Sequence, residues 1–367
     1  SARSSSTATD ISQEIRMRLG MMMSYSGGFA QTVEELVEYE AAGLDIVMVP
    51  EAYSFDAISQ LGFIAAKTSR LQIASGIIQL YTRTPTLTAM TAAGLDYVSG
   101  GRFSLGLGAS GPQVIEGFHG VPYDAPLART REVVEICRQV WRREPVVFQG
   151  EHYQVPLPPG KGTGLGKPLK LINHPVRARI PIILAAIGPR NVALAAEIAE
   201  GWQPLFVHPD RAAQVWGAAL AEGLARRDPE LGPLDVLASV PFAITETPET
   251  LLDRHRAQLA LYIGGMGAKG RNFSNDLVRR YGYEREAKLI QDLYLDGRKA
   301  EAAGAVPDDL VRDTALVGPA GYLKERLAAF ADAGITTLLV SPLAPTHAAR
   351  VRSVADLREV MSAIVAD

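Results

Sequence analysis

One phrase recurs along the chain and limits what it can fold into. A helix-like run ends at a glycine and passes at once into a short apolar run. It reads YEAAGLDIVMV at 39–49, AAEIAEGWQPLF at 195–206 and AFADAGITTLLV at 329–340. Glycine tolerates the left-handed turn that stops a helix, and an apolar run straight afterwards reads as a strand buried on both faces. That is the rhythm of a parallel α/β fold. Eight such strands are expected: MRLGMMMS, LDIVMVP, LQIASGII, RFSLGLG, IPIILAA, GWQPLF, VLASVPFAI and TTLLVSP. Between them lie helical patterns such as TVEELVEYEAAG, where Thr32 and Glu35 have the spacing of a capping box. Eight strand–helix units predict an α/β chain folded as a (β/α)8 TIM barrel, with a doubly wound sheet as the alternative.

Two segments exceed ordinary connections, about residues 145–180 and 262–310. They are expected as insertions at the C-terminal mouth of a single domain spanning 16–367, serving as lids or binding loops. The start, SARSSSTATDIS, lacks the apolar core of a secretory signal, so residues 1–15 are expected to be a disordered tail. A formal charge of −3 provides no basic footprint for nucleic acid or an anionic membrane, and no apolar run has the roughly 18 residues of a membrane helix. The lone Cys137, on the apolar face of EVVEICRQV, reads as a buried thiol and fits a reducing cytoplasm.

Several familiar motifs are approached and missed. Gly106, Gly108 and Gly111 have the spacing of a dinucleotide turn, but three strand–helix units precede them. The acidic residue due about 20 positions later falls inside a helix. GLGKP at 164–168 lacks a phosphate loop's hydroxyl residue, and Ser110 lacks one glycine of the nucleophile elbow. The six histidines show no metal-ligand spacing, so no metal is expected.

Barrel chemistry sits at the C-terminal ends of strands. There the sequence places Ser24 and Tyr25, Glu51 and Tyr53, Gln79 with Tyr81 and Arg83, and Ser110 with Gln113. After the fifth strand come Gly188, Pro189, Arg190 and Asn191 and then a strongly helical run, a start suited to an anion.

The stretches PEAYSFDA, GIIQLYTRTP, GGRFSLGLGASGPQVIEGFHG, PLARTREVVEICR, GTGLGKPLK, AAIGPRNVALAAEIAEGW and YIGGMGAKGRNFSNDLVRRYGYE carry a resemblance. The chain resembles the luciferase-like monooxygenase superfamily, and within it the actinobacterial branch that uses the deazaflavin coenzyme F420. The resemblance implies a barrel with the cofactor across its mouth, a homodimer and a small-molecule substrate. It also implies a non-proline cis peptide near Gly76 and Ile77, and a close approach of Gly108, Ala109 and Ser110 to the deazaflavin. Alcohol and sugar-phosphate dehydrogenases of this group carry an Asp-His pair after the second strand, where this chain has Glu51-Ala52. Without that histidine base the expectation shifts to a reductase of a C=C or C=N bond, with Glu51, Tyr53 or Tyr81 supplying a proton. The alternatives are an F420-dependent alcohol dehydrogenase, a two-component monooxygenase using FMN, and a non-catalytic flavin-binding barrel.

Overall fold

The computed structural model describes residues 17–23, 29–267 and 269–364. The tail expected at 1–15, and Ser24 with Tyr25, lie outside the described residues.

Parallel strands form a closed ring. In chain order they are β1 (Arg18–Met22), β2 (Ile46–Val49), β3 (Gln72–Ser75) with its continuation β4 (Ile78–Gln79), and β5 (Phe103–Gly108). After a two-stranded hairpin, β6 (Phe148–Gln149) and β7 (Gln154–Val155), the ring resumes with β8 (Ile182–Ala185), β9 (Gly201–Gln203) and β10 (Asp235–Ile244). It ends with β12 (Thr337–Pro342). β9 pairs with β10, β10 with β12 and β12 with β1, which closes the cylinder and leaves the barrel core without a free edge. These are the eight expected strands. A further short strand, β11 (Leu316–Gly318), pairs with the C-terminal end of β10 and had no separate sequence signal.

Alternation along the strands builds two cores. Ile46, Met48, Ala74, Ile183, Leu237 and Leu339 point inward and fill the barrel. Val47, Val49, Ile73, Leu184, Leu338 and Val340 point outward against the helices. Those helices are α1 (Phe29–Ala41), α2 (Ala57–Lys67), α3 (Pro85–Val98), the short α4 (Pro112–Ile115), α5 (Pro126–Trp141), α6 (Pro189–Ile198) and α7 (Pro209–Leu224). After β10 come α8 (Glu249–Gly265), α9 (Phe273–Arg280), α10 (Glu284–Leu295), α11 (Lys299–Gly304) and α12 (Asp308–Asp313). α13 (Ala320–Asp332) and α14 (His347–Ile364) complete the outer layer. α1 starts three residues ahead of Thr32, so the Thr32–Glu35 pair lies inside the helix rather than capping it.

The helices that cover the expected second insertion pack together, with α8 against α9 to α12. His255 ties α8 to the residue after α12. The Thr314 hydroxyl donates to Leu310 O at 2.6 Å, so His255 Nε2 must be the donor in its 2.9 Å contact with Thr314. Burial pushes this imidazole down to about 4, so it is neutral at pH 7. In the first insertion the hairpin stands on α5, where the Glu132 carboxylate accepts from the amides of Glu151, His152 and Tyr153. The chain then runs to the opposite end of the barrel, where Arg177 grips Asp96 and the carbonyl of Phe103. The hairpin of this insertion is thus fastened to α5, and its far end to the corner between α3 and β5.

The glycines of RFSLGLG have a steric cause. A Cβ on Gly106 would lie 1.8 Å from the carbonyl oxygen of Ser75, and one on Gly108 would lie 3.0 Å from Ile77 Cδ1. Ser75 Oγ also bridges the strands, donating to Gly106 O and accepting from Gly106 N, each at 2.9 Å. β3 thus presses on β5 just before the Gly76–Ile77 peptide, which is cis. Gly106→Ala is expected to lower stability by about 3 kcal/mol or more, the upper range for overpacking. By contrast Gly94→Ala, on α3 with nothing within 4 Å of its new methyl, is expected to gain about 0.5–1 kcal/mol. Urea midpoints of the two variants check the opposite signs.

Candidate active site

The C-terminal ends of the strands enclose a cavity of about 400 Å³. One wall is the cis peptide with Gln79, and another is Gly108, Ala109 and Ser110. The facing wall is Ala185 to Gly188 with Asn191, and Gln203 to Leu205 continue it. Glu51 and Ala52 reach it from β2, Tyr123 from before α5, and Tyr262 and Phe273 from the helical insertion. Three non-glycine residues at these strand ends have left-handed backbones: Ala52 (φ 45), Ser110 (φ 59) and Phe206 (φ 45). Such conformations cost energy and gather where a site needs an unusual loop shape.

Of the expected residues, the structure brings together Glu51, Gly76, Ile77, Gln79, Gly108, Ala109, Ser110, Gly188 and Asn191. Pro189 and Arg190 do not join them. Both are exposed and face an outer groove between α5, α6 and α7. The anion-binding features of the loop therefore reduce to Gly188 and the start of α6, where no side chain caps the helix and the first helical bond runs from Val192 N to Gly188 O.

The three expected proton donors sit in different surroundings. Glu51 is 7% exposed, and both carboxylate oxygens are engaged. Arg83 donates to Oε1 at 2.7 Å and to Oε2 at 2.8 Å, while the Ala57 amide adds a bond to Oε2 at 3.0 Å. Three donors converge on this group, the first residue of α2 among them, so it acts as an acceptor that anchors two loops. Tyr81 lies outside the cavity, in a neighbouring depression with Arg83, Arg129 and Tyr153. Its hydroxyl donates to Asp124 O at 2.8 Å, and burial pushes its phenol well above the usual range. Tyr53 is 63% exposed at the rim, its ring 6.0 Å from that of Phe118.

Gln79 is 1% exposed and donates from Nε2 to Ala52 O at 2.6 Å, holding the left-handed turn beside Glu51. Two tryptophans that the sequence reading passed over hold the opposite wall. Trp202 Nε1 donates to Ala186 O and Trp216 Nε1 to Ile187 O, both at 3.0 Å, and their rings meet edge to face. Trp202 sits on a strand already identified, but its bond to a distant loop left no periodic mark. Tyr123, Tyr262, Phe273 and Gln203 were also missed. Tyr262 and Phe273 come from segments whose position over the mouth depends on packing, whereas Gln203 ends the identified strand β9.

Among the described residues, His208, Asp210 and Asp313 could offer ligand atoms within 4.8 Å of one another. Arg326 already places a guanidinium there, 2.8 Å from Asp210 and 3.7 Å from Asp313, so the cluster reads as an ion-pair network.

A barrel mouth with a broken third strand and a glycine-bearing fourth invites comparison with known proteins. The sequence pattern of the luciferase-like monooxygenases matches residues 15–337. The chain belongs to that family. A Mycobacterium tuberculosis protein, named provisionally as a coenzyme F420-dependent oxidoreductase, is 45% identical over 89% of this chain and 96% of its own length. The 5,10-methylenetetrahydromethanopterin reductase of Archaeoglobus fulgidus is 26% identical over 83% of this chain and 88% of its own. Among solved structures, the coenzyme F420-dependent tetrahydromethanopterin reductase of Methanopyrus kandleri superposes with a TM-score of 0.76. It is 21% identical, covering 93% of this chain and 97% of that one, and it supports the barrel fold.

With Glu51 as an anchor, Glu51→Gln is expected to cost stability on the order of 3 kcal/mol, because Arg83 loses a largely buried partner. The pH profile of turnover should keep its shape. Denaturation of the variant, with a rate profile from pH 5 to 9, checks both halves.

Proposed function

We propose that this protein is a coenzyme F420-dependent oxidoreductase that reduces a C=C or C=N bond of a small organic substrate. The observation that carries this reading is the cavity between the cis Gly76–Ile77 edge and the Ala185–Gly188 wall, which is mostly apolar and closed below by the packed barrel. Its residues suit a deazaflavin. Gly76 packs on Met22 and Met48 and Gly108 on Ile77, which closes the strands tightly beside the cavity, and the uncapped start of α6 offers backbone N–H groups to the phosphate of the coenzyme's side chain. The close F420-named relative and the reductases among the more distant ones support the same reading.

Bound there, reduced F420 would supply a hydride. The protein's part is to hold the ring against the strand ends, to bind the phosphate at Gly188–Asn191 and to keep water from the reacting face. Two buried anchors, Glu51–Arg83 and the tryptophan pair, make those walls rigid before the coenzyme arrives. The absence of an Asp-His pair beside the site, with a neutral alanine at position 52, favours reduction over alcohol oxidation.

Direct titration with both oxidised coenzymes tests the proposal. F420 is expected to bind at least about tenfold more tightly than FMN, a difference of about 1.4 kcal/mol. Equal or tighter binding of FMN would favour a flavin monooxygenase, and binding of neither a non-catalytic barrel.

The working unit is proposed as a homodimer in the cytoplasm. Leu87, Met90, Tyr97 and Val98 form an exposed apolar stripe on one face of α3, beside Phe63 of α2, and a second copy would cover it. The single buried thiol suits a reducing compartment, and no helix among the described residues is long and apolar enough to cross a membrane. Light scattering is expected to give twice the chain mass for the wild type and a shift towards the single chain for Met90→Asp/Tyr97→Asp. A monomeric wild type would refute the dimer.

A further inference from the structure

Reduction of a double bond needs a proton as well as a hydride; of the three expected donors two are engaged elsewhere, and Tyr53 stands exposed outside the cavity lining. Glu51 accepts from Arg83 and Ala57, and Tyr81 donates to Asp124 outside the cavity. Tyr123 lines the cavity but donates to Ser110 O at 3.3 Å. Tyr262 differs. It lines the cavity from the end of α8, and among the described residues its hydroxyl has no hydrogen-bond partner. Its place is well defined. The ring meets Phe206 edge to face at 5.0 Å, and Asn272 Nδ2 donates to its backbone carbonyl at 2.9 Å. Burial, with the neighbouring Tyr53 phenol adding to it, holds its acidity below that of an ordinary tyrosine, so it stays a donor through alkaline pH.

Around this hydroxyl the rim is aromatic and exposed. Tyr53, Phe118 and Phe273 are 63%, 65% and 51% exposed, and Phe273 lines the cavity itself. Large rings gathered at one opening leave apolar area uncovered that folding alone would bury, and such area marks a binding surface. Rings of this kind receive flat apolar molecules by stacking and edge contacts.

We propose that the substrate is a flat, apolar, ring-bearing compound whose reducible double bond is conjugated to a carbonyl or imine, and that Tyr262 donates to that acceptor atom. This rests on the reductase reading above. Hydride from the reduced deazaflavin forms a C–H bond at the electrophilic end of the conjugated system, and the displaced π electrons collect on the carbonyl oxygen or imine nitrogen. The Tyr262 O–H bond then breaks as its proton passes to that atom, and the phenolate regains a proton from water. The substrate gains two electrons and two hydrogens, and the deazaflavin is oxidised. Phe273, Phe118 and Tyr53 hold the ring skeleton at the rim.

Menadione, a flat bicyclic conjugated diketone, serves as probe. Its binding is measured by calorimetry on protein saturated with oxidised F420, and coenzyme binding is measured separately. The wild type is expected to bind it, and Phe118→Ala/Phe273→Ala to bind it at least about tenfold more weakly. Tyr262→Phe, which removes one oxygen, should weaken menadione about three- to tenfold and leave F420 affinity unchanged. With reduced F420 it should slow menadione reduction by about 10²- to 10⁴-fold. Unchanged thermal melts would confirm that the variants fold. The proposal is overturned if the wild type fails to bind menadione, if the rim variant binds it like wild type, or if Tyr262→Phe turns over within a few fold of wild type. If F420 itself does not bind, the reductase reading falls. Menadione titrated into the protein alone then still decides whether the rim and Tyr262 form a site for such molecules.

Discussion

The contact between Ser75 and Gly106 sets the shape of everything above it. Two neighbouring parallel strands approach so closely that a single β-carbon would overlap a carbonyl oxygen. The serine hydroxyl fills the gap by bonding the glycine's amide and carbonyl together. Beyond this point β3 leaves its regular path. It resumes as β4 after the Gly76–Ile77 peptide, paired to the end of β5. The step brings Gly76, Ile77 and Gln79 to the barrel mouth beside Gly108, and the cavity is built against them. The same glycines that resemble a nucleotide turn in the sequence are there for strand packing.

Around the cavity, loops that a closed barrel leaves free are fixed one by one through buried polar bonds. Glu51 and Arg83 join the loop after β2 to the one after β4, and Gln79 holds Ala52 between them. Across the cavity the indoles of Trp202 and Trp216 take the carbonyls of Ala186 and Ile187. Each donor is buried with an acceptor, so losing either partner would leave the other unsatisfied in an apolar setting. The polar residues at the mouth thus divide into two kinds. Most are committed to holding walls, and few, Tyr262 among them, remain available to a ligand.

That division explains which parts of the site were legible. Strand ends could be located from periodicity, so Glu51, Gln79, Ser110 and the Gly188 turn were identifiable as mouth residues. Their roles were not, because a role depends on the partner. Glu51 reads as an acid until Arg83 and the start of α2 are seen against it. Arg190 reads as an anion ligand until the helix turns it outward. Tyr262 and Phe273 fall in a stretch that carried the family resemblance, but nothing in it placed them at the mouth. They lie in helices whose approach to the mouth is set by the packing of α8 on α9 to α12.

The sequence by itself determined the class of fold, through helices ended by glycine and followed at once by strands buried on both faces. Such local patterns survive without knowledge of the partner element. Only the tertiary structure decided that the first insertion braces α5 and that the second brings a phenol and a phenyl ring over the cavity. Only there, too, does the supposed acid become the partner of an arginine 32 residues away in sequence. Contacts across that distance depend on how loops close over a finished barrel, and no residue spacing along the chain encodes that closure.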